Sequence, residues 1–584
     1  MRKSIFLGIL LVNIHLLPAQ KLVPVDFSFR SIVADSTDSL NSSNEMLSNV
    51  VTEVILQTDT AVWLGTGLGV SVIRDSITVE TLPSSNELTE GPPEPWLPKG
   101  GISAMAVSGQ GNIMLIAVAG SENDIPIGKG LAWTIEADSS VINWFYKDQP
   151  MDDAVSTEQP WAFVESITGN IAGNFLALPI TVPQANVTYD IAFSDEYAWI
   201  ASWAGGLRRI KPGQSPFWER VPLPMDDQFE LLTCEKFDSN GDSVYTFKKT
   251  EINSDGSLYL RDYELNPRDP IDGGNHNHKT FSVLVYGDTI WVGTANGINR
   301  GIINPSANTN YCIDWEHYSY PTQGLSGNFV VGLALQMYKG KRVIWAATVN
   351  ADDPTEQRGV SYTTNDGLSW NTALLGERVY NITAHDSLVF AATANGLWKT
   401  EDGINWARYN PARQAIPVPN TAIHSTDEVL ANEVYSVAFD SRPYYGDNSI
   451  WIGTGDGAAH SYDLDGLNWK IFRAEYDQDE DYAYPNPFSP YTHNVIGGDG
   501  YVRFHTNEWS GTFVIDLDVY NFAMEKVFAG SFDRRDASSG ALKWNGRDTQ
   551  GRLVNNGVYF VKLNYPENQT SKPSAHWVKL IVVK

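Results

Sequence analysis

The sequence predicts an all-β fold: a seven-bladed β-propeller followed by a C-terminal Ig-like β-sandwich. Three observations predict it. One strand–turn–strand phrase recurs seven times between residues 46 and 476. Aromatic residues make up 12% of the chain, with 19 Trp and 26 Tyr, and flat rings pack well on pleated sheets. The stretch 491–584 alternates apolar and polar residues in strand-length runs, the period of a half-buried strand.

At 584 residues the chain exceeds what one ordinary core can organise, so several domains or a repeat array are expected. The 41 Lys and Arg against 69 Asp and Glu give a net charge of −28. That excess excludes nucleic acid, whose phosphates need basic partners, and opposes an anionic membrane surface. It is compatible with a solvated extracellular surface, with calcium or with carbohydrate. The N-terminus has a basic start (Arg2, Lys3), an apolar run from Ile5 to Leu17 and a small residue, Ala19. This is the pattern of a signal peptide over 1–19, too short to span a bilayer. No other stretch is long and apolar enough for a transmembrane helix. Two cysteines, Cys234 and Cys312, do not make a disulfide scaffold and lack metal-ligand spacing; they pair across units or stay free.

The repeated phrase reads Ala61-Val62-Trp63-Leu64-Gly65-Thr66-Gly67-Leu68-Gly69, Thr289-Ile290-Trp291-Val292-Gly293-Thr294-Ala295-Asn296-Gly297, Leu388 to Gly396 and Ile450 to Gly457. Looser copies run Ala198 to Gly206, Ile344 to Thr348 and Met114 to Gly120. Each is an apolar strand followed by a turn that favours positive φ, with Asn-Gly or Asp-Gly in three cases. The small residue after the aromatic strand lets a neighbouring sheet approach. With an apolar strand upstream and a hairpin downstream, each unit makes four strands, and the units are placed at 46–100, 101–185, 186–279, 280–326, 327–378, 379–432 and 433–476. Residues 20–45 are a leader or a ring-closing strand.

Three copies continue into Thr363-Thr364-Asn365-Asp366-Gly367-Leu368-Ser369-Trp370, Lys399-Thr400-Glu401-Asp402-Gly403-Ile404-Asn405-Trp406 and Tyr462-Asp463-Leu464-Asp465-Gly466-Leu467-Asn468-Trp469. This element resembles, in degenerate form, the Asp-box hairpin of sialidase-like propellers, with Asn365, Glu401 and Leu464 at the usual Asp. The strand-plus-Gly-Thr phrase resembles the propeller repeats of periplasmic sensor regulators. The resemblance implies that Asp366, Gly367, Trp370, Asp402, Gly403, Trp406, Asp465, Gly466 and Trp469 build turns rather than catalyse.

Short turns are expected on one face of the disc and long insertions on the other, at Gly120–Gly130, Asn350–Gly359, 76–100, 148–186 and 222–279. Long loops on a rigid scaffold carry function. Their acids and aromatics make Trp96, Asp124, Trp161, Asp352, Asp353 and Glu356 candidate ligand contacts: aromatics beside acids suit a glycan, and acids suit calcium. Catalytic residues and a metal site are not assigned. No metalloprotease, nucleophile-elbow or phosphate-loop motif is present, the start motif of sialidases is absent, and Asp238 to Asp242 lacks the later ligands of a calcium loop.

After Trp469 an acidic and proline-rich linker, 477–490, precedes strand-length runs over 491–584. Tyr484-Pro485-Asn486-Pro487-Phe488, the run from Trp544 through Gly546 to Gly551, Gly557-Val558-Tyr559 and the end Val578 to Lys584 resemble the type IX (Por) secretion sorting domain and the Ig-like domain of flagellar hook-capping proteins. The resemblance implies outer-membrane export through the type IX machinery and an extracellular or cell-surface location. The propeller is then expected to bind a glycan or a surface protein. The competing readings are a polysaccharide-active enzyme, a glycoside hydrolase or lyase, on the same scaffold, and a surface-assembly component of the secretion system.

Overall fold

A computed structural model describes residues 46–584 apart from internal stretches that include 149–157, 165–170, 178–185, 213–217, 253–257, 266–273, 304–312, 418–423, 443–448, 475–480, 494–499, 506–513, 534–541 and 566–574, and several shorter ones. The expected signal peptide, the 20–45 leader, both cysteines, Asp124 and Asp352 therefore lie outside the described residues, as does the side chain of Trp161.

Every described sheet is built from strands of 2–10 residues. Seven sheets, numbered 1 to 7 in chain order, open with the strands Val51–Gln57, Gly101–Val107, Thr188–Phe193, Thr280–Tyr286, Phe329–Tyr338, Val379–His385 and Val434–Asp440. Each runs as an antiparallel meander of four strands. Sheet 4 carries Glu230–Leu232 as a fifth strand, which pairs with Ile313–Tyr318 from across the long 222–279 insertion. The first strand of every sheet packs against the first strand of the next, and the first strand of sheet 7 packs against that of sheet 1. The seven first strands thus form a closed cycle.

The repeated phrase explains this packing. In all seven sheets the first strand is bulged, so one residue is passed over: Thr52, Ser103, Tyr189, Phe281, Val331, Tyr380 and Tyr435. The following residue faces the small residue of the phrase, as Glu53 faces Gly65 and Ser436 faces Gly453. A Cβ on Gly293 would lie 2.5 Å from the Val330 carbonyl of sheet 5, and one on Gly453 would lie 2.6 Å from the Val51 carbonyl of sheet 1. Bulges raise local twist, and the small residue lets the twisted sheets touch.

The turn after the second strand is held by its threonine. The hydroxyls of Thr66, Thr294, Thr393 and Thr454 donate to the carbonyls of Gly69, Gly297, Gly396 and Gly457 at 2.7–3.1 Å. Positive φ falls on the glycine, 94° at Gly297 and 102° at Gly457, not on the preceding Asn or Asp. The expected loop at Gly120–Gly130 is instead an extension of two paired strands, Met114–Glu122 and Ile125–Thr134. Buried aromatics fill the gaps between sheets, among them Trp63, Trp199, Trp291 and Trp451.

Beyond residue 480 a three-stranded sheet (Tyr482–Tyr484, Val502–His505, Lys543–Trp544) and a four-stranded sheet (Lys526–Asp533, Val514–Tyr520, Gly557–Asn564, Ala575–Val582) share one apolar core around Phe488, Trp544, Tyr559 and Val561. The proline-rich motif covers the free edge of the last strand. Phe488 N–H donates to the Ile581 carbonyl and Val583 N–H to that of Phe488, both near 2.9 Å. Asn486 completes the seam through its amide, donating to Lys579 O and accepting from Ile581 N–H at 2.9 Å. An edge left bare would invite pairing with another chain. Trp544 donates to Arg547 O at 2.8 Å, and Tyr559 hydroxyl to Asn555 O at 2.7 Å. Gly546 and Gly551 hold φ of 74° and 76° in the intervening turns.

Candidate functional site

The bulged positions converge at the end of the cycle that carries the Gly-Thr turns. Phe281 and Phe329 are buried there with ring centroids 5.5 Å apart, and Tyr189 and Trp203 lean on Phe281 at 5.6 and 5.3 Å. Trp203 belongs to the turn of sheet 3. Lys279 sets its ammonium 4.8 Å from the Trp203 ring. Across sheets 6 and 7, Tyr380 and Tyr435 meet edge to face at 5.4 Å, with the Arg378 guanidinium 5.2 Å from Tyr380. Tyr189, Trp203, Tyr380 and Tyr435 are half-buried, so this end presents aromatic surface next to two cations.

One residue further along their strands stand two acids at equivalent positions, Glu53 in sheet 1 and Asp190 in sheet 3. Asp190 accepts the Val283 N–H of sheet 4 and its neighbour Ile191 N–H, both at 2.8 Å. Burial nevertheless pushes its carboxyl up to about 7, against the pull of those two N–H groups. Glu53 is raised well above the usual carboxylate range, first by burial and then by the charge of Asp190. Both side chains keep partial exposure. Carboxyls that their surroundings keep from ionising in this way can hold or deliver a proton.

The sequence-derived ligand residues fall in different places. Trp96 is half-buried in the segment after sheet 1, which is bound to sheet 2 by reciprocal Glu94 and Trp144 backbone hydrogen bonds. Asp353 and Glu356 lie in the sheet 5 loop, and sheets 2 and 5 are not neighbours in the cycle. Asp353 is exposed and accepts the Thr355 N–H and hydroxyl at 2.8 and 2.6 Å, which lowers its pKa. Glu356 turns inward instead: it is 8% exposed and accepts from Asn328 N–H, the Asn328 amide and Ala351 N–H. It fastens the loop so that Ala351 packs against the Phe281 and Phe329 cluster. Among the described residues no group of three or more His, Cys, Asp or Glu could hold a metal ion.

The three Asp-Gly hairpins are turn elements with shifted roles. Asn365, Asp402 and Asp463 are the side chains that accept the turn N–H groups: Ser369 N–H at 3.1 Å, Ile404 and Asn405 N–H at 2.8 and 2.7 Å, and Asp465 and Leu467 N–H at 3.0 and 2.9 Å. These bonds hold Asp402 far below the usual carboxylate range. Asp366 pairs instead with Arg342, and Asp465 lies 3.5 Å from Lys399. The glycines have no room for a side chain, because a Cβ on Gly367, Gly403 or Gly466 would lie 2.6, 2.9 or 2.5 Å from Tyr318, Trp345 or Tyr409 of the preceding sheet. Trp370 and Trp406 meet Trp291 and Trp345 of that sheet edge to face, and Trp469 donates to Gly466 O at 2.8 Å.

Comparison with family models and with curated proteins finds no match. Among solved structures the chain is similar to PorZ, an essential surface component of the type-IX secretion system of Porphyromonas gingivalis, at 14% identity and a TM-score of 0.26, over 92% of this chain and 75% of that one. It is similar to the extracellular domain of a hybrid two-component system of B. thetaiotaomicron at 12% identity and 0.23, over 91% and 68%. It is also similar to an ancestral GH74 enzyme at 11% and 0.25, over 90% and 79%. All three scores lie below 0.5.

Proposed function

We propose that the seven sheets are the blades of one β-propeller, that the propeller is a surface-displayed binding module, and that its ligand sits on the aromatic end of the central cycle. The C-terminal sandwich is Ig-like and acts as the type IX delivery domain, after a signal peptide has taken the chain across the inner membrane. The observation that carries the binding reading is the set Tyr189, Trp203, Tyr380 and Tyr435, half-buried beside Lys279 and Arg378. The three tyrosines stand on strands, with Trp203, Lys279 and Arg378 next to strand ends, and rings beside cations suit ligands that stack and carry hydrogen-bond acceptors, a glycan first among them. An array of neutral and acidic polysaccharides tests it. A glycan bound by the native chain should be lost with Trp203→Ala and kept with Trp96→Ala; the reverse pattern refutes the placement.

A second reading, a glycoside-active enzyme, is favoured by one observation, the Glu53 and Asp190 pair. Two carboxyls, one of them kept from ionising by its surroundings, are the usual equipment for glycosidic bond cleavage. Release of reducing ends from a bound glycan, abolished by Glu53→Gln while binding persists, would establish it. Binding with no turnover leaves the first reading standing.

A further inference from the structure

We propose that the outer face of the four-stranded C-terminal sheet is a docking surface for a protein partner whose contact area has an apolar centre ringed by carboxylates. The inference rests on the reading of the sandwich as the delivery domain and names the surface it uses. Burial alternates cleanly along Val514–Tyr520, Gly557–Asn564 and Ala575–Val582, so one face is core and the other meets solvent. An ordinary solvent face is polar. Here the cross-strand pairs place Tyr520 beside Phe560, Phe560 beside Lys579 and Lys562 beside Trp577. Rings and ammonium groups therefore alternate on adjacent strands.

The rings are open to solvent. Trp577 is 51% exposed, and Phe522 and Met524, in the turn at the end of the face, are 76% and 53% exposed. Tyr520 and Trp577 lie 5.5 Å apart and Phe522 and Phe560 6.4 Å apart, so the apolar surface is continuous. Exposed, contiguous aromatic and methionine surface on a folded domain marks an interaction site, and these are the residue types that dominate protein interfaces. The planes are tilted by 47° and 31°, which gives no common flat platform for a sugar chain. Lys526 is taken up by Asp518 at 3.0 Å. Lys562 and Lys579 have no ion-pair partner among the described residues. On a chain of net charge −28, two free ammonium groups flanking a hydrophobic patch select an acidic partner and set its register.

The test uses the full-length chain in its native host, reading the amount on the cell surface. Trp577→Ala with Phe522→Ala, and separately Lys562→Glu with Lys579→Glu, should each lower surface delivery by at least about tenfold, the scale expected when anchor residues leave an interface. Melting of the purified proteins should be unchanged, and arginine at 562 and 579 should preserve delivery. Normal delivery of both variants, with a chain lacking 484–584 stranded in the periplasm, would overturn the surface while sparing the delivery role. Normal delivery of the truncated chain would overturn both. A dimer in sedimentation, or retention on immobilised alginate, that Trp577→Ala abolishes would also overturn it, in favour of a second copy or an anionic polysaccharide.

Discussion

Closure of the cycle between sheets 7 and 1 can be tested with a single methyl group. A Cβ placed on Gly453 would lie 2.5 Å from Ser436 Oγ, 2.6 Å from the Val51 carbonyl oxygen and 2.8 Å from Val51 Cγ1. The serine could rotate away, but the Val51 carbonyl belongs to a strand fixed by its own ladder, so the two sheets must separate. Overpacking of this kind costs about 1–3 kcal/mol. Gly453→Ala should therefore lower the propeller's melting temperature by roughly 2–6 °C, and Gly453→Val by more. Sheets 5 and 6 hold Ala347 and Ala392 at the equivalent positions, so the fold accepts a methyl group where its neighbours leave room. Gly65→Ala should cost less than Gly453→Ala, because its nearest obstacle is a side-chain methyl, Ile102 Cγ2 at 2.8 Å. Calorimetry reads the difference. An unchanged melting temperature for Gly453→Ala would mean that sheets 7 and 1 are not in close contact, and the argument for one closed ring would fail.

Other outcomes follow from the same contacts. Gly367→Ala should destabilise by about 1–3 kcal/mol, since it combines a φ of 94° with a clash against the Tyr318 ring; chemical denaturation measures it. Asp402 has a folded pKa below its unfolded value, so its contribution is present above about pH 4 and fades as pH falls; the stability gap between the native chain and Asp402→Ala should close on acidification. Glu53 behaves oppositely, because its folded pKa is raised: stability is highest below the unfolded value and declines as pH rises. Glu53→Gln should therefore raise the melting temperature more at pH 8 than at pH 5, and equal shifts would show that the carboxyl is not buried. Phe488→Ala, at a site with 0% exposure, should cost the sandwich about 3–5 kcal/mol and leave the propeller transition in place.

Much of the architecture was legible because it repeats. The Trp-x-Gly-Thr phrase, the Asp-Gly hairpins and the Tyr484 to Phe488 motif each combine turn chemistry with apolar periodicity, and both are local. What sequence missed is non-local. Nothing at Glu230–Leu232 announces that it will pair with Ile313–Tyr318. Glu53 and Asp190 take the same register position in sheets 1 and 3 only because each follows a bulge. The aromatic end was hidden for the same reason: Tyr189, Phe281, Tyr380 and Tyr435 read as ordinary strand residues. A bulge signal was present in five of the seven first strands, as a bulky residue followed by a small or polar one, but Thr52 and Ser103 break the pattern. At Glu356 the acidic loop suggested a ligand contact, and what composition could not show is that its carboxylate accepts Ala351 N–H within the loop and Asn328 N–H outside it. In the Asp-box turns the side chain that holds the turn stands two residues before the glycine at Asn365, one at Asp402 and three at Asp463, so no single position in the motif identifies it.

The central claim is that one unit recognises and the other delivers, and a chain ending at residue 483 tests it most directly. The ring draws its closing contacts from sheets 1 and 7, so the truncated protein should melt cooperatively and bind on the glycan array as the full chain does. Without the sandwich it should accumulate in the periplasm of its native host. Surface or secreted protein at normal levels would contradict the account, and the sandwich would then be a structural appendage with no part in export.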